Sequence, residues 1–124
     1  MRWSDLDELL ATADFVCLHP RLSPATRHLI DEARLGQMKP TAYLVNVSRG
    51  EVVDEAALVR ALREGWIAGA ALDVYEDEPG LAPGLTDLPN AVLVPHIGSA
   101  SKDARDRMAV LAATNALSHL LGER

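Results

Sequence analysis

Short apolar runs alternate along the chain with segments whose apolar positions recur at helical spacing. Leu6, Leu9 and Leu10 make the first helical face, and Ser4 with Asp7 reads as the capping box that starts that helix. Phe15-Val16-Cys17-Leu18 is a continuous apolar run, which predicts a buried strand ended by His19-Pro20. Residues 21–30 carry Pro24 and Thr26 and read as a loop with a turn. Asp31 caps a short helix running through Met38, and Pro40 stops it. The clearest strand spans residues 42–47, with Ser48-Arg49-Gly50 in the loop at its end. Asp54 caps a helix with Ala57, Leu58, Ala61 and Leu62 on one side, and Gly65 ends it. Residues 67–74 predict another buried strand, in which Gly69 permits close packing. An acidic, Pro- and Gly-rich loop occupies residues 75–90. Val92-Leu93-Val94 is the last strand, ending at Pro95-His96. Residues 101–121 predict a long helix with Ala104, Met108, Leu111 and Leu117 among its apolar positions, Met108 being core.

The order is helix, strand, helix, strand, helix, strand, strand, helix. Such alternation implies right-handed crossovers and a mostly parallel sheet. Ligands of these sheets gather at the C-terminal ends of the strands, where His19, Arg49, Asp73 and His96 fall. Four strands are few for a doubly wound sheet, and no G-x-G-x-x-G occurs in the sequence. The expected fold is therefore α/β and partial Rossmann-like: a mostly parallel sheet flanked by helices, lacking the first glycine-loop βαβ unit.

Composition narrows this picture. A length of 124 residues suits one domain. Hydrophobic residues make up 48% and aromatics only 4%, so the core must be built from Ala, Val and Leu. That composition suggests strands covered on both faces by closely packed helices. The formal net charge of -6, without a basic tract, argues against nucleic acid and anionic membranes. One cysteine, Cys17, excludes an intrachain disulfide and reads as a small buried hydrophobe in a reducing compartment. With neither an apolar span nor a signal-peptide pattern, a soluble cytoplasmic protein is expected.

Three segments carry the chemistry. They are Val45-Asn46-Val47-Ser48-Arg49-Gly50-Glu51-Val52-Val53-Asp54, Gly69-Ala70-Ala71-Leu72-Asp73-Val74-Tyr75-Glu76-Asp77-Glu78-Pro79, and Pro95-His96-Ile97-Gly98-Ser99-Ala100. In this order and on these elements they resemble the arginine, acidic and histidine motifs of the D-isomer-specific 2-hydroxyacid dehydrogenases. The stretch from Leu18 to Ile30 also fits that pattern. The resemblance runs from about Leu6 into the final helix.

The resemblance implies hydride transfer between a nicotinamide cofactor, NAD or NADP, and a small 2-oxoacid or 2-hydroxyacid. Arg49 would bind the substrate carboxylate, a task that suits its planar, permanently charged fork. His96 would exchange the proton with the substrate oxygen. Glu78 would be its acidic partner, since a carboxylate beside a histidine favours the charged ring. The implied cofactor contacts are Pro20, Val47, Ser48, Arg49, Asp73, His96, Gly98 and Ser99. At Pro20 the chain departs from the family pattern, which places a proline one position later, where Arg21 stands. No metal is required.

Other readings of these residues stand beside this one. Arg49 could pair with a surface acid, Glu76 could be the acid in place of Glu78, and Asp73 or His96 could simply cap a turn. His19 reads as structural, and His28 and His119 as surface residues. The sequence after Gly98 and the stretch from Pro83 to Asn90 look most like glyoxylate and hydroxypyruvate reductases. A nicotinamide-responsive corepressor of the same fold is the alternative, and a non-catalytic truncated fragment another. A receiver-type signalling domain would need clustered acids where Leu18-His19-Pro20 stands.

The whole chain, residues 1–124, is expected to be the C-terminal part of a dinucleotide-binding domain, its last helix packing back toward an absent substrate domain. The isolated chain is expected to be inactive and prone to self-association, and the full-length enzyme a homodimer.

Overall fold

The computed structural model describes residues 3–122. In chain order they form α1 (Leu6–Thr12), β1 (Phe15–Leu18), α2 (Glu32–Leu35), β2 (Tyr43–Asn46), α3 (Glu55–Glu64), β3 (Gly69–Leu72), β4 (Ala91–Leu93) and α4 (Lys102–Leu120). Single 3-10 turns occur at Gly50–Val52 and Leu85–Asp87. The expected succession of helices and strands is present.

The caps show why the helices start where they do. Asp31, Asp54 and Ser101 each accept a backbone N–H from three residues on, and Gly65 closes α3 in the left-handed region. The strands β2 and β3 are shorter than the sequence reading at both ends, β4 begins one residue earlier, and two helix boundaries also differ. The cap of α1 is Asp5, which accepts the N–H of Glu8 at 2.8 Å, while the Ser4 hydroxyl bonds the Glu8 side chain. Helix α2 ends at Leu35 rather than Met38, because Gln37 and Met38 donate three residues back and tighten the chain into turns.

The four strands form one parallel sheet in the order β1-β2-β3-β4. Each step moves the same way across the sheet, so right-handed crossovers return along one face only. Val16, Leu18, Leu44, Ala70 and Leu72 on that face join Leu10, Leu35, Leu58 and Leu62 in a single buried cluster.

The other face is bare. Phe15 and Tyr43 stack across β1 and β2 with ring centroids 5.5 Å apart, yet they are 67% and 45% exposed. Val92 and Cys17 share this face and are also exposed. The expectations of strands covered on both faces and of a buried Cys17 are thus corrected: every crossover segment lies on the opposite side. Met108 is not core either, since it is 52% exposed and no residue of α4 is buried. The apolar side chains of α4, at 108, 110, 111, 117 and 120, fall on different sides of a helix and make no stripe that could seat it. Among the described residues no helix is long and apolar enough to cross a membrane.

The loops beyond β1 and β2 are joined. Ile30 and Val53 form a parallel bridge, and His28 N–H donates to the Glu51 carbonyl at 2.7 Å. The segment after Leu18 is therefore held against the segment after Asn46.

Candidate active site

The site is built from the loops at the C-terminal end of the sheet. Asn46, the last residue of β2, is 1% exposed. Its amide donates to the Arg49 carbonyl at 2.9 Å and its oxygen accepts the N–H and hydroxyl of Ser48. One buried amide thus folds the turn that presents Arg49. Gly50 follows because no side chain fits there: a β-carbon would lie 1.9 Å from the Tyr75 carbonyl carbon. That contact brings the arginine loop against the acidic loop after β3.

Asp73 leaves β3 with 6% exposure. Its carboxylate accepts the N–H of Ile97 at 2.7 Å and of Gly98 at 2.8 Å. These bonds fold the chain beyond β4 into the turn that carries His96, whose backbone is left-handed at φ 51°, an uncommon conformation for a residue other than glycine. His96 Nδ1 lies 2.9 Å from Glu78 Oε2 and 3.1 Å from Oε1. Glu78 Oε1 also accepts the Tyr75 N–H at 3.0 Å. The Tyr75 hydroxyl, in turn, donates to the Val94 carbonyl at 2.8 Å and ties the two loops below the pair. The His96 hydrogen bond, then the Tyr75 N–H, hold the Glu78 carboxyl below its usual value, and the charge of Arg49 adds to the effect.

Arg49, Glu78 and His96 line one cleft of about 380 Å³ with Gly50 and Tyr75. Arg49 is also a wall of a second cleft, of about 450 Å³, with Pro20, Val47 and Ser48. Asp73 and Gly98 lie under the histidine turn, while Ser99 is exposed and lines neither cleft.

Glu76 is not beside His96. Its Oε1 lies 2.5 Å from His28 Nε2 and 3.4 Å from Arg27. This leaves Glu78 as the acid at the histidine and gives His28 a bonded, half-buried place rather than a free surface one. Sequence reasoning passed over three residues that hold the site: Asn46, Tyr75 and Glu55. A polar residue inside the apolar run Leu44 to Val47 was a legible sign for Asn46. Glu55 is 4% exposed and accepts the N–H of Glu76 at 2.6 Å and of Ala82 at 3.2 Å, so it brackets the turn containing Glu78. Burial raises its carboxyl above the usual value.

A parallel α/β sheet with its polar constellation at the strand ends defines a Rossmann-like domain. Residues 1–98 match the family described as D-isomer specific 2-hydroxyacid dehydrogenase, NAD binding domain, and the chain belongs to that family. It is 58% identical over 125 residues to a glyoxylate reductase of Thermofilum pendens, a match spanning 99% of this chain and 37% of that protein. It is 51% identical to the peroxisomal glycerate dehydrogenase of Arabidopsis thaliana, over 98% of this chain and 31% of the relative. Among solved structures, the NADPH-dependent glyoxylate/hydroxypyruvate reductase of Sinorhizobium meliloti, in complex with NADP and malonate, superposes with a TM-score of 0.87 at 38% identity. That superposition covers 91% of this chain and 35% of the reductase. The chain therefore spans about a third of the length of the relatives it matches.

Proposed function

We propose that this chain forms the cofactor-side half of a nicotinamide-dependent reductase of small 2-oxoacids, glyoxylate and hydroxypyruvate being the substrates that fit the reading best. The observation that carries it is the His96–Glu78 pair, which shares one cleft with Arg49. The reductase relatives support the substrate class, and they favour the enzyme over a corepressor.

Each group has a role that suits its chemistry. Arg49 binds the substrate carboxylate and draws electron density from the adjacent carbonyl. Glu78 occupies His96 Nδ1, which leaves Nε2 free for the substrate oxygen. His96 then donates the proton as the oxygen gains charge and recovers it in the reverse direction. The nicotinamide, when bound, supplies or accepts the hydride. The second cleft suits its ring: Pro20 and Val47 offer apolar surface, and Ser48 a hydroxyl for the carboxamide. The Asp73 carboxylate already takes two backbone N–H groups, so any contact with cofactor would use its remaining lone pairs. Gly98 and Ser99 line neither cleft, and in this reading they would meet the cofactor only from the turn after His96.

Residues 1–124 then form the C-terminal part of the dinucleotide-binding domain, with α4 leading back to a substrate domain. The single cysteine and the acidic balance support a cytoplasmic protein, and the family resemblance supports a homodimer. The 124 residues by themselves contain no G-x-G-x-x-G and are expected to show only background turnover.

The test is a chimaera in which this chain replaces the matching segment of the Thermofilum glyoxylate reductase. Oxidation of NADH or NADPH should depend on glyoxylate or hydroxypyruvate and be lost in His96→Asn. A chimaera that binds the cofactor but reduces neither substrate would overturn the reading.

A further inference from the structure

The turn that carries Glu78 is fixed from its ends. Asp77 to Leu81 are all exposed, so no buried side chain within the turn settles where Glu78 stands. At one end the Ala82 N–H donates to Glu55 at 3.2 Å. At the other end Glu76 and Glu55, the first residue of α3, hold each other. The Glu76 N–H donates to Glu55 Oε1 at 2.6 Å, and the Glu55 N–H reaches Glu76 Oε2 at 3.4 Å. Glu76 Oε1 then meets His28 Nε2 at 2.5 Å, with Arg27 3.4 Å from the same oxygen. A single carboxylate, two positions before Glu78, thus ties this turn both to α3 and to the loop after β1.

His28 makes its bond from an uncommon backbone conformation, with φ at 49°. Glycine or asparagine enters this left-handed region more readily, and a bulkier residue stays there only where its surroundings impose it. Two bonds do so: the His28 N–H on the Glu51 carbonyl at 2.7 Å, and the ring on Glu76. The ring bond suits the ordinary tautomer of imidazole, with the proton on Nε2, so it exists whether His28 is neutral or charged. His96 is the opposite case. Its bond to Glu78 runs through Nδ1, so the neutral ring carries its proton on the less usual nitrogen only while Glu78 stays in place.

We propose that Glu76 is a positioning residue, anchored by His28, that keeps Glu78 against His96. It acts through Glu78 alone: it fixes the proton of the neutral His96 ring on Nδ1 and leaves Nε2 open. The catalytic meaning of that open nitrogen rests on the function proposed above, whereas the hold on Glu78 can be read without turnover.

The experiment is nitrogen NMR of the histidine rings of this chain at about pH 8, where imidazole is ordinarily neutral. It compares wild type with Glu76→Ala, Glu76→Gln and His28→Asn. Asparagine tolerates the left-handed backbone but is too short to reach Glu76. The Nδ1–H form of His96 should predominate in wild type. It should fall about twofold in Glu76→Ala and in His28→Asn, the weakening expected when a half-exposed pair is lost. Glu76→Gln keeps an oxygen for His28 and for the Glu55 N–H, and should restore most of that form. A wild-type tautomer in both Glu76→Ala and His28→Asn would overturn the proposal. A change in Glu76→Ala alone would place the hold in the Glu55 bond and overturn the part given to His28. Amide signals of Leu44 and Ala70 report on the sheet, and their collapse in His28→Asn and Glu76→Gln would show a pair that maintains the fold rather than Glu78, which also sinks the proposal. A tautomer that shifts as expected, in a chain whose chimaera reduces neither substrate, would uphold the hold on Glu78 and sink the function instead.

Discussion

Gly98 rests on the carboxylate of Asp73: its N–H donates to Oδ2 at 2.8 Å, and a β-carbon built on Gly98 would stand 2.8 Å from the same oxygen. The turn that carries His96 is thus both held and limited by one buried acid. Gly98→Ala must either push that acid deeper or lift the turn away from it. Asp73 has little room to move, so the turn is expected to lift and His96 to leave Glu78. NMR of the imidazole should show the Nδ1–H signal, protected in the wild type, exchanging rapidly in the variant. An unchanged signal would refute the coupling.

Gly50→Ala should be more costly. The added carbon meets backbone atoms of Tyr75 and Glu76 at 1.9 to 2.3 Å, and backbone cannot yield as the end of a side chain can. A loss of roughly 2–3 kcal/mol is expected, at the upper end of overpacking effects. Denaturant unfolding would measure it. A variant as stable as the wild type would mean that the two loops do not meet so closely in solution.

Removal of the Glu55 side chain leaves the N–H groups of Glu76 and Ala82 without their acceptor. Glu55→Ala is expected to cost about 1–3 kcal/mol, the usual range for buried donors left unpaired. The pH dependence has a definite sign. Burial raises the Glu55 carboxyl in the folded state, so its contribution to stability is largest in acid and declines as pH rises through the folded value. The gap between wild type and Glu55→Ala should therefore narrow toward neutral pH. Thermal unfolding from pH 4 to 8 would reveal a gap that widens instead, if this sign is wrong.

Glu78 has the opposite sign. Its carboxyl is lowered from the ordinary 4.5, first by His96 and then by the Tyr75 N–H. The stabilisation is present above that ordinary value and is lost as pH falls through the folded one. Glu78→Gln should unfold more easily than wild type at neutral pH and match it in strong acid. Because the pair is half exposed, the effect should be small and should shrink with added salt. A difference independent of pH would point to packing rather than charge.

Local signals in the sequence were enough for the caps at Asp31 and Asp54, the glycine stop at Gly65 and the order of elements. Each depends on a few neighbouring residues. The Arg49, Glu78 and His96 constellation was legible because its motifs name both the residue and the strand end that carries it. What escaped the sequence depends on contacts far apart in the chain. Glu55 reaches Ala82 across 27 positions, and Glu76 finds His28 across 48. Composition alone misled over Cys17 and Met108, since an apolar residue is buried only where something is available to cover it.

The bare side of the sheet has a practical consequence. Cys17 pairs in register with Val45, which pairs with Ala71, which pairs with Val92. The one thiol of the chain thus sits in the row of side chains that crosses all four strands on that side. A maleimide that reacts with it samples the whole surface from a single point. Its reaction rate becomes a gauge of anything that comes to lie against the sheet, whether a second copy or a further segment of polypeptide.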